Sequence, residues 1–476
     1  MGVKRQKNQL ELTFMAEGRS EAPSAAKERT ETPMAKRKTE HPVLPVLLME
    51  QVCQRDNLIK ALQRVKQNGG SPGIDGMTVK RLSGYLKKYW PRIRTELLTG
   101  RYQPQAVKRV EIAKPDGGMR QLGIPTVLDR FIQQAVMQVL QGYWVRTFSE
   151  HSYGFRPGRS AHQAITRAQQ YVEQGYHWVV DIDLEKFFDR VNHDRLMGRL
   201  AQRITDKRVL KLIRAFLNAG VMENGLVSPR TEGTPQGGPL SPFLSNVVLD
   251  ELDRQLERRG HRFVRYADDC NIYVRSERAG HRVMSNISKF ITGKLKLKVN
   301  RSKSSVDRPW RCKFLGFRLL CGEQIKRGIA PSALLRMEAR VRKLTGRNRG
   351  VTLVQRVEQL NLYLRGWRCY FGYCQTPSVL EQLDSWVRRR LRCVVWKQWK
   401  RARRRFAALR RLDINKGLAA RTAGSVHGPW RVSRSPALSF ALPNRYFASL
   451  GLVLLAEQVS ACPAELPRYG PVCPVV

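Results

Sequence analysis

The chain has 476 residues and a strongly basic composition, with 86 lysines and arginines against 39 acidic residues and a formal net charge of +47. This length predicts two or three domains with at least one sizeable core, and excludes a single small module. So large a positive surplus repels itself unless a polyanion offsets it, which makes nucleic acid the first candidate partner. No run is apolar enough to span a bilayer, and the basic clusters are interleaved with Trp and Tyr, so a membrane partner is disfavoured.

The nine cysteines are scattered, with no Cys-x-x-Cys pair and no adjoining His pair. This spacing argues against a zinc ribbon, a zinc finger or an HNH-type nuclease, and predicts reduced thiols in a cytosolic compartment. The start, MGVKRQKNQLELTF, mixes bases with acids, and the later PVLPVLL is short and broken by prolines. We therefore expect neither a signal peptide nor an anchor.

The first ordered elements are predicted to begin after a mobile tail. Residues 1–45 are rich in Lys, Glu, Ser, Thr, Ala and Pro without periodicity, which is typical of a poorly packed segment. From Asp56, a helical face of Leu58, Leu62 and Val65 closes on a Gly pair and predicts a helix. Further on, VKRVEIAK and MRQLGIP flank the turn signal PDGG, and this pattern predicts a β-hairpin.

The middle and the end of the chain have different patterns. Between about 120 and 320, apolar helices alternate with the β runs WVVDID, RFVRY, CNIYV, LKLKV and KFLGFRLL, which predicts an α+β domain with a largely antiparallel sheet. After about 330, helical periodicity continues through DSWVRRRLRCVVWKQWKRARRRF. The last piece carries HGPWRVSRSPAL and ends in a Pro- and Cys-rich stretch. We find no internal repeats.

Two pairs of acids lie at the ends of apolar runs. In RFVRYADDCNIYVR, β-branched and aromatic residues on both sides predict a hairpin with Asp268 and Asp269 at its tip. In WVVDIDLEKFFDRV, Asp181 and Asp183 fall on one face because strand side chains alternate. An isolated Asp-Asp turn would be ordinary, but two such clusters in a basic chain predict carboxylates that converge on hard divalent cations. Mg²⁺ bridges carboxylates to phosphates and serves phosphoryl transfer in pairs.

Between the acid pairs, EGTPQGGPLSPFLSNVVLDELDRQLERRG combines a glycine loop with a helix. Gly237 and Gly238 permit another backbone or a nucleotide to approach closely. Leu244, Val248, Leu252 and Leu256 form an i, i+4 stripe that predicts a core-facing helix. Local sequence leaves Gln236 open between a polar residue before the helix and a nucleotide contact.

Together these motifs resemble a known family. The blocks SPGIDGMTV, KPDGGMRQLGIP, SYGFRPGRSAHQAI, DIDLEKFFDRVNHDRL, PQGGPLSP, YADD, LKLKVNRSKS and FLGF occur in the order found in group II intron-encoded reverse transcriptases, also called maturases, over about residues 46–450. The resemblance implies an α+β right-hand polymerase. Its expected parts are a flexible tail (1–45), fingers with an N-terminal extension (46–170), a palm with the YADD active site (171–322), a helical thumb or maturase (X) domain (323–412) and a basic DNA-binding-like segment with its tail (413–476).

The resemblance also implies the catalytic acids. Asp268 and Asp269 match the paired acids of the YADD box. The family pattern places the metal-binding Asp five residues before an aromatic that screens the sugar, which selects Asp183 with Phe188. Asp181 is the competing assignment, although its fifth neighbour is a lysine.

Other positions match substrate contacts of the family. Lys114 and Arg120 match fingers residues that contact the incoming triphosphate, with a solvated hairpin rim as the alternative for both. Gln236 matches the glutamine beside the nascent base pair. Lys303 matches a palm lysine, although a generic basic edge strand explains it nearly as well. In the FLGF block, Phe314, Leu315 and Gly316 match the region that grips the primer strand, where Gly316 allows a close backbone approach.

The C-terminal arginines predict an RNA surface. Most of the aromatics there have helical spacing that favours the core. Runs such as RRRLR and RARRR carry too much like charge for an ordinary solvated face, so we expect a groove for structured RNA or a template–primer duplex. The residues selected for this contact are Arg388, Arg389, Arg390, Arg403 and Arg404.

The resemblance implies an RNA-directed DNA polymerase that copies intron RNA into DNA during retrohoming and binds that RNA to assist splicing. Its expected cofactors are two Mg²⁺ ions, with Mn²⁺ as a substitute, and its partners are intron RNA, a template–primer duplex, target DNA and deoxynucleoside triphosphates. The missing Cys pairs predict an endonuclease-lacking type, acting in the bacterial cytoplasm or at the nucleoid. The alternatives are a non-catalytic splicing maturase and a reverse transcriptase of a defence system or retron. The oligomeric state stays open.

Overall fold

A computed structural model of the chain describes residues 44, 46–113, 118–223, 226–228, 232–234 and 237–457. Lys114, Gln236, nearly all of the predicted tail at 1–45 and the last residues of the chain therefore lie outside the described part, and for Arg120 only the backbone is described. Within that part, no helix combines the length and the apolar character that crossing a bilayer requires.

The helices are α1 (Leu48–Val52), α2 (Arg55–Asn68), α3 (Val79–Leu98), α4 (Val127–Trp144), α5 (Ala161–Glu173), α6 (His193–Ala201), α7 (Lys207–Asn218), α8 (Ser241–Arg258), α9 (Glu277–Phe290), α10 (Pro331–Leu344), α11 (Leu353–Phe371), α12 (Pro377–Gln398), α13 (Ala402–Arg411), α14 (Lys416–Ala423), α15 (Pro429–Val432), α16 (Pro436–Ala441) and α17 (Asn444–Ser449). Short 3₁₀ turns lie at Val145–Thr147 and Phe187–Asp189, and a π-helical turn at Ile291–Leu295 follows α9.

The strands are β1 (Val107–Ala113), β2 (Met119–Ile124), β3 (Trp178–Ile182), β4 (Val221–Glu223), β5 (Leu226–Ser228), β6 (Arg262–Tyr266), β7 (Asp269–Val274), β8 (Ser305–Asp307), β9 (Phe317–Leu320) and β10 (Lys326–Ile329).

The N-terminal half follows the sequence predictions closely. The helix expected from Asp56 is α2, and its predicted face of Leu58, Leu62 and Val65 is buried. The expected hairpin is the antiparallel pair β1–β2. It belongs to a four-stranded sheet in the order β2-β1-β4-β5, in which β1 and β4 run parallel. This sheet therefore departs in one pairing from the antiparallel pattern.

The second four-stranded sheet separates two hydrophobic cores. Its order is β6-β7-β3-β8, and every pairing in it is antiparallel. Side chains alternate between the faces of a strand, so Val180 and Ile182 of β3 enter one core while Val179 enters the other. The first core contains α4 and α8, including the predicted stripe at Leu244, Val248, Leu252 and Leu256.

The C-terminal half packs on the other side of this sheet. The β9–β10 hairpin and helices α10–α13 share the second core. Helices α14–α17 join the same core, where Leu438 and Phe447 lie with Leu383 and Trp396 of α12. The predicted segments on either side of residue 412 are therefore packed together. The segment 450–457, which follows α17, is held to α12, because Leu455 N donates to the Asp384 carboxylate at 2.8 Å.

Candidate active site

The paired acids lie at a tight hairpin turn of the second sheet. Tyr266 of β6 pairs with Asp269 of β7, so Ala267 and Asp268 alone connect the strands. Ala267 has a φ of 58°, in the left-handed region that L-residues avoid. The hairpin predicted from RFVRYADDCNIYVR is thus confirmed, with Asp268 in the turn and Asp269 at the first position of β7.

The second acid pair lies beside this turn. In the antiparallel register of β3 and β7, Ile182 faces Cys270 and Asp181 faces Asn271. The end of β3, followed by Asp183, therefore meets the start of β7. The structure brings together both acid clusters that the sequence predicted.

This proximity affects the pKa values of two of the acids. Burial raises the pKa of Asp269 well above its usual range, and the charges of Asp181, Asp268 and Asp183 raise it further. Burial also raises the pKa of Asp181, to about 7, with Asp183 as the next cause. The positive charge of Lys313 lowers both values. The raised pKa values of Asp181 and Asp269 favour protonation of these two carboxyl groups unless a cation offsets the negative charge around them.

Asp183 is held by residues that the sequence reasoning missed. Asn300 Nδ2 donates to Asp183 Oδ2 at 2.9 Å, and Asn300 N donates to the Asp183 carbonyl at 2.8 Å. The Asp183 amide in turn donates to Ser304 Oγ at 3.0 Å. Both partners lie beside Lys303 in VNRSKS, a block that the family resemblance matched without assigning either residue a role. Lys303 itself is exposed, and its amide donates to the Asn300 carbonyl at 3.2 Å.

Phe188 follows Asp183 by five residues and is hydrogen-bonded to the segment that leads into the glycine loop. The ring is half-buried on the short turn at Phe187–Asp189, 5.2 Å from the ring of Phe187 in an edge-to-face arrangement. The Phe188 carbonyl accepts a hydrogen bond from Thr234 N at 2.6 Å. Thr234 lies just before the loop that contains Gln236, so the predicted sugar screen and this loop are adjacent.

The glycine loop also touches the fingers hairpin. A methyl group added at Gly237 would lie 2.8 Å from the Gly123 carbonyl of β2. The predicted close approach at this glycine is therefore made by another backbone. The backbone of Arg120 lies opposite Ile112 in the same hairpin. The substrate contacts expected of Lys114, Arg120 and Gln236 stay predictions.

Two of the predicted RNA-binding arginines make contacts within the chain. The Arg389 guanidinium carbon stacks 3.5 Å from the centre of the Trp430 ring, and Arg389 Nη2 donates to the Trp430 carbonyl at 2.9 Å. Arg390 Nε donates to Thr345 Oγ1 at 3.0 Å. Arg388 shares the half-buried state of these two neighbours on α12. Because Arg389 and Arg390 both make contacts within the chain, replacing either of them would change the local packing as well as the charge.

The other predicted RNA contacts are more accessible. Arg403 and Arg404 are exposed in the first turn of α13, which contains no acidic residue. An RNA contact by any of the five arginines stays a prediction, and these two are the members of the set best placed to reach phosphates.

The donor set at the turn fits a hard cation. Its side chains are carboxylates, and oxygen ligands are those that Mg²⁺ prefers. Within the described residues, no group of three or more His, Cys, Asp or Glu side chains is already arranged to hold a metal ion. The fit therefore rests on donor type and on mutual repulsion that a divalent cation would offset.

Comparison with known proteins supplies the class. Residues 112–319 match the family described as reverse transcriptase (RNA-dependent DNA polymerase), and this range contains both acid pairs and the second sheet. Residues 334–412 match the group II intron, maturase-specific domain. The fold and site thus define a reverse transcriptase, a class that uses divalent metal ions and nucleic acid substrates.

The chain is similar to several individual proteins. Protein YkfC of Escherichia coli K12 is 32% identical over 299 residues, covering 54% of this chain and 78% of YkfC. The group II intron-encoded protein LtrA of Lactococcus lactis is 38% identical over 195 residues, covering 41% of this chain and 32% of LtrA. A solved partial Cas6–RT–Cas1–Cas2 complex is 24% identical with a TM-score of 0.34, covering 52% of this chain and 42% of the matched one.

The chain belongs to the group II intron reverse transcriptases that carry a maturase domain. It spans most of YkfC but only about a third of LtrA.

Proposed function

We propose that the chain copies its intron RNA into DNA at the acid cluster of the second sheet, using Mg²⁺. The observation that carries this proposal is the register that brings the end of β3, followed by Asp183, beside the turn with Asp268 and Asp269. In the reaction, the primer 3′-hydroxyl attacks the α-phosphate of a deoxynucleoside triphosphate, a P–O bond forms, and pyrophosphate leaves. Mg²⁺ bound there would supply Lewis-acid stabilisation of the attacking and leaving oxygens.

Each acid of the site has a proposed role in holding the metal ions. Asp183 and Asp268 would hold the two ions and Asp269 would support them, with Asp181 as the competing ligand. Asn300 orients Asp183 by its hydrogen bond to the carboxylate. Orientation of a ligand by such a partner maintains the geometry that catalysis requires.

The substrate contacts follow from the loop and the fingers hairpin. Phe188 would lie against the sugar and exclude a 2′-hydroxyl. Lys114 and Arg120 would neutralise the triphosphate, and Gln236 would contact the nascent base pair. Lys303, beside the Asp183 anchor, would add a cation on the palm. The adjacency of the glycine loop to both Phe188 and β2 supports this arrangement.

We also propose that the chain binds its intron RNA and assists splicing. The match to a maturase-specific domain and the exposed arginines at the start of α13 support this role. Target DNA and the template–primer duplex are the further polyanions that the reaction requires. The bacterial origin of YkfC and LtrA supports action in the bacterial cytoplasm.

Primer extension separates polymerase from non-catalytic maturase. The purified protein is given an RNA template, a primer, Mg²⁺ and deoxynucleotides, beside an Asp268→Asn/Asp269→Asn variant. Asp194→Asn is the matched control, because this palm aspartate has an 82% exposed side chain outside the cluster. We expect extension by the wild type and the control alone. Tight intron RNA binding without extension by any of them would favour the non-catalytic maturase.

A further inference from the structure

A fully buried arginine lies directly behind the catalytic turn. Arg265 is the residue before Tyr266 in β6, and its exposure is 0%, as is that of Asp253 on α8. Burying an ion pair costs desolvation that only well-formed hydrogen bonds offset, and apolar residues of similar volume would often fill such a space at least as stably. Stability alone therefore does not explain this arginine, and the hydrogen bonds that it donates are the feature to examine.

Every donor of the Arg265 side chain has an acceptor. Nε and Nη2 donate to the two carboxylate oxygens of Asp253 at 2.7 and 2.5 Å. Nη1 donates to Asn246 Oδ1 at 2.9 Å and to the Ala267 carbonyl at 2.8 Å. Nη2 also donates to Ser152 Oγ at 2.8 Å. The five N–H groups of the guanidinium fork are thus used in one fixed geometry.

One of these bonds acts on the turn itself. The Ala267 carbonyl belongs to the peptide that joins Ala267 to Asp268, so the Arg265 bond fixes the plane of that peptide. Ala267 also has the left-handed φ of 58°, a conformation that persists only where the surroundings enforce it. The guanidinium supplies such a constraint immediately before the paired acids.

The other bonds tie the turn to two further parts of the fold. Asn246 and Asp253 lie seven residues apart on α8, which places them on one face of that helix. Asn246 Nδ2 donates to the Gly154 carbonyl at 2.9 Å, and Tyr153 N donates to the Arg265 carbonyl at 2.9 Å. The segment 151–154, helix α8 and the turn therefore meet at a single side chain.

We propose that Arg265, held by Asp253, is a positioning residue that sets the Ala267–Asp268 peptide and so presents Asp268 and Asp269 in the geometry for nucleotide addition. The role rests on the proposed polymerase function, since it takes these two acids as the ones that hold the ions. Arg265 touches no reacting atom and acts through the turn. Asp253 keeps the guanidinium charged and oriented.

Two variants test this role without leaving a buried charge unpaired. Arg265→Lys keeps the positive charge opposite Asp253 but cannot reproduce the fork that reaches the Ala267 carbonyl. Arg265→Met/Asp253→Leu removes both charges together, which avoids leaving one of them buried and unpaired. Arg356→Lys is the matched control: this arginine is also 0% exposed, but it donates to carbonyls of the helical domain such as that of Leu344.

The first readout is the pre-steady-state burst of nucleotide addition by the full chain, measured with template–primer in excess over the protein. Loss of folded protein would lower the burst amplitude, whereas a misplaced turn lowers the rate constant of the folded fraction. We expect a normal amplitude and a rate constant reduced by about 10²-fold in both Arg265 variants, the loss typical of a displacement of about 1 Å. Arg356→Lys should keep the wild-type rate constant.

The second readout does not depend on activity. Hydrogen exchange of the full chain is expected to show faster exchange at residues 266–270 in the Arg265 variants, with β3 still protected. If the wild type does not extend primers, the proposed function fails, and hydrogen exchange still decides whether Arg265 holds the turn. Wild-type protection of the turn in folded Arg265→Lys and Arg265→Met/Asp253→Leu, together with a wild-type rate constant, would overturn the proposal.

Discussion

Gly154 packs against the Ala267–Asp268 turn with no room for a side chain, and Gly154→Ala is expected to slow nucleotide addition while leaving RNA binding intact. A methyl group at this position would lie 2.3 Å from the Ala267 amide nitrogen, 3.0 Å from the Tyr266 carbonyl carbon and 3.1 Å from Ala267 Cα. These are backbone atoms, so no side chain can rotate away to relieve the contact. Gly154 has no positive φ, so its own conformation does not exclude alanine.

The magnitude follows from the distance. Ordinary van der Waals contact begins at 3.4 Å, so the turn or the segment 151–154 must move by about 1 Å. A displacement of this size at a catalytic group costs about 10²-fold in rate, and overpacking of this kind costs about 1–3 kcal/mol of stability. We therefore expect a large loss in the rate of single nucleotide addition from a protein that remains folded.

The assay is single-turnover extension of a primer on RNA, with thermal unfolding and RNA affinity measured on the same protein. Gly198→Ala is the matched control, because a methyl group there meets nothing within 4 Å in the middle of α6. This control should keep the wild-type rate and gain about 0.5–1 kcal/mol from helix propensity. A wild-type rate in Gly154→Ala would refute the claim that the position of this turn limits catalysis.

Three further predictions concern the sugar, the RNA and the pH. Phe188→Ala is expected to admit ribonucleotides, because the half-buried ring would no longer close the space beside the sugar; an unchanged preference in a competition assay would remove Phe188 from this role. Replacing the exposed Arg403 and Arg404 by glutamine is expected to weaken intron RNA binding. The slope of log affinity against log salt concentration should fall by roughly one for each phosphate contact that is lost. A wild-type slope would argue that neither residue reaches RNA. Burial raises the pKa of Asp206, but hydrogen bonds from Arg208 and a backbone amide outweigh this effect and leave the pKa below its usual value. This carboxylate therefore stabilises the fold above the unfolded pKa of about 4, and the contribution is lost as the pH falls through the folded value; Asp206→Asn should flatten the acid side of a urea-unfolding pH series, and an identical profile would contradict this assignment.

The local signals in the sequence were sufficient to predict the turn that contains Asp268. Two β-rich runs around a polar pair encode a hairpin without reference to the rest of the fold, and β6 and β7 form it as predicted. The helical face at Leu58, Leu62 and Val65 was equally local. The second acid cluster at a strand end predicted convergence with the turn, and the register of β3 and β7 agrees with it.

The supporting residues could not be found in the same way. Asn300 is 117 residues from Asp183, and no periodicity links them. Arg265 lies within a strand-like run, where alternation alone does not reveal that Asp253 on a helix will neutralise it. Arg389 belongs to a charged helical run whose pattern indicates an RNA-facing side, but the packing of α15 places Trp430 over its guanidinium. Each case depends on tertiary contacts that join elements far apart along the chain.

The most direct test of the central claim is the sequence of the product made by the purified chain on an RNA template. With Mg²⁺ and deoxynucleotides, the wild type is predicted to make DNA complementary to that RNA, and Asp183→Asn, which keeps the size of the side chain and removes its charge, is predicted to make none. A templated product of equal yield from Asp183→Asn, or no product from a folded wild type that binds the RNA, would contradict RNA-templated DNA synthesis at this cluster of acids.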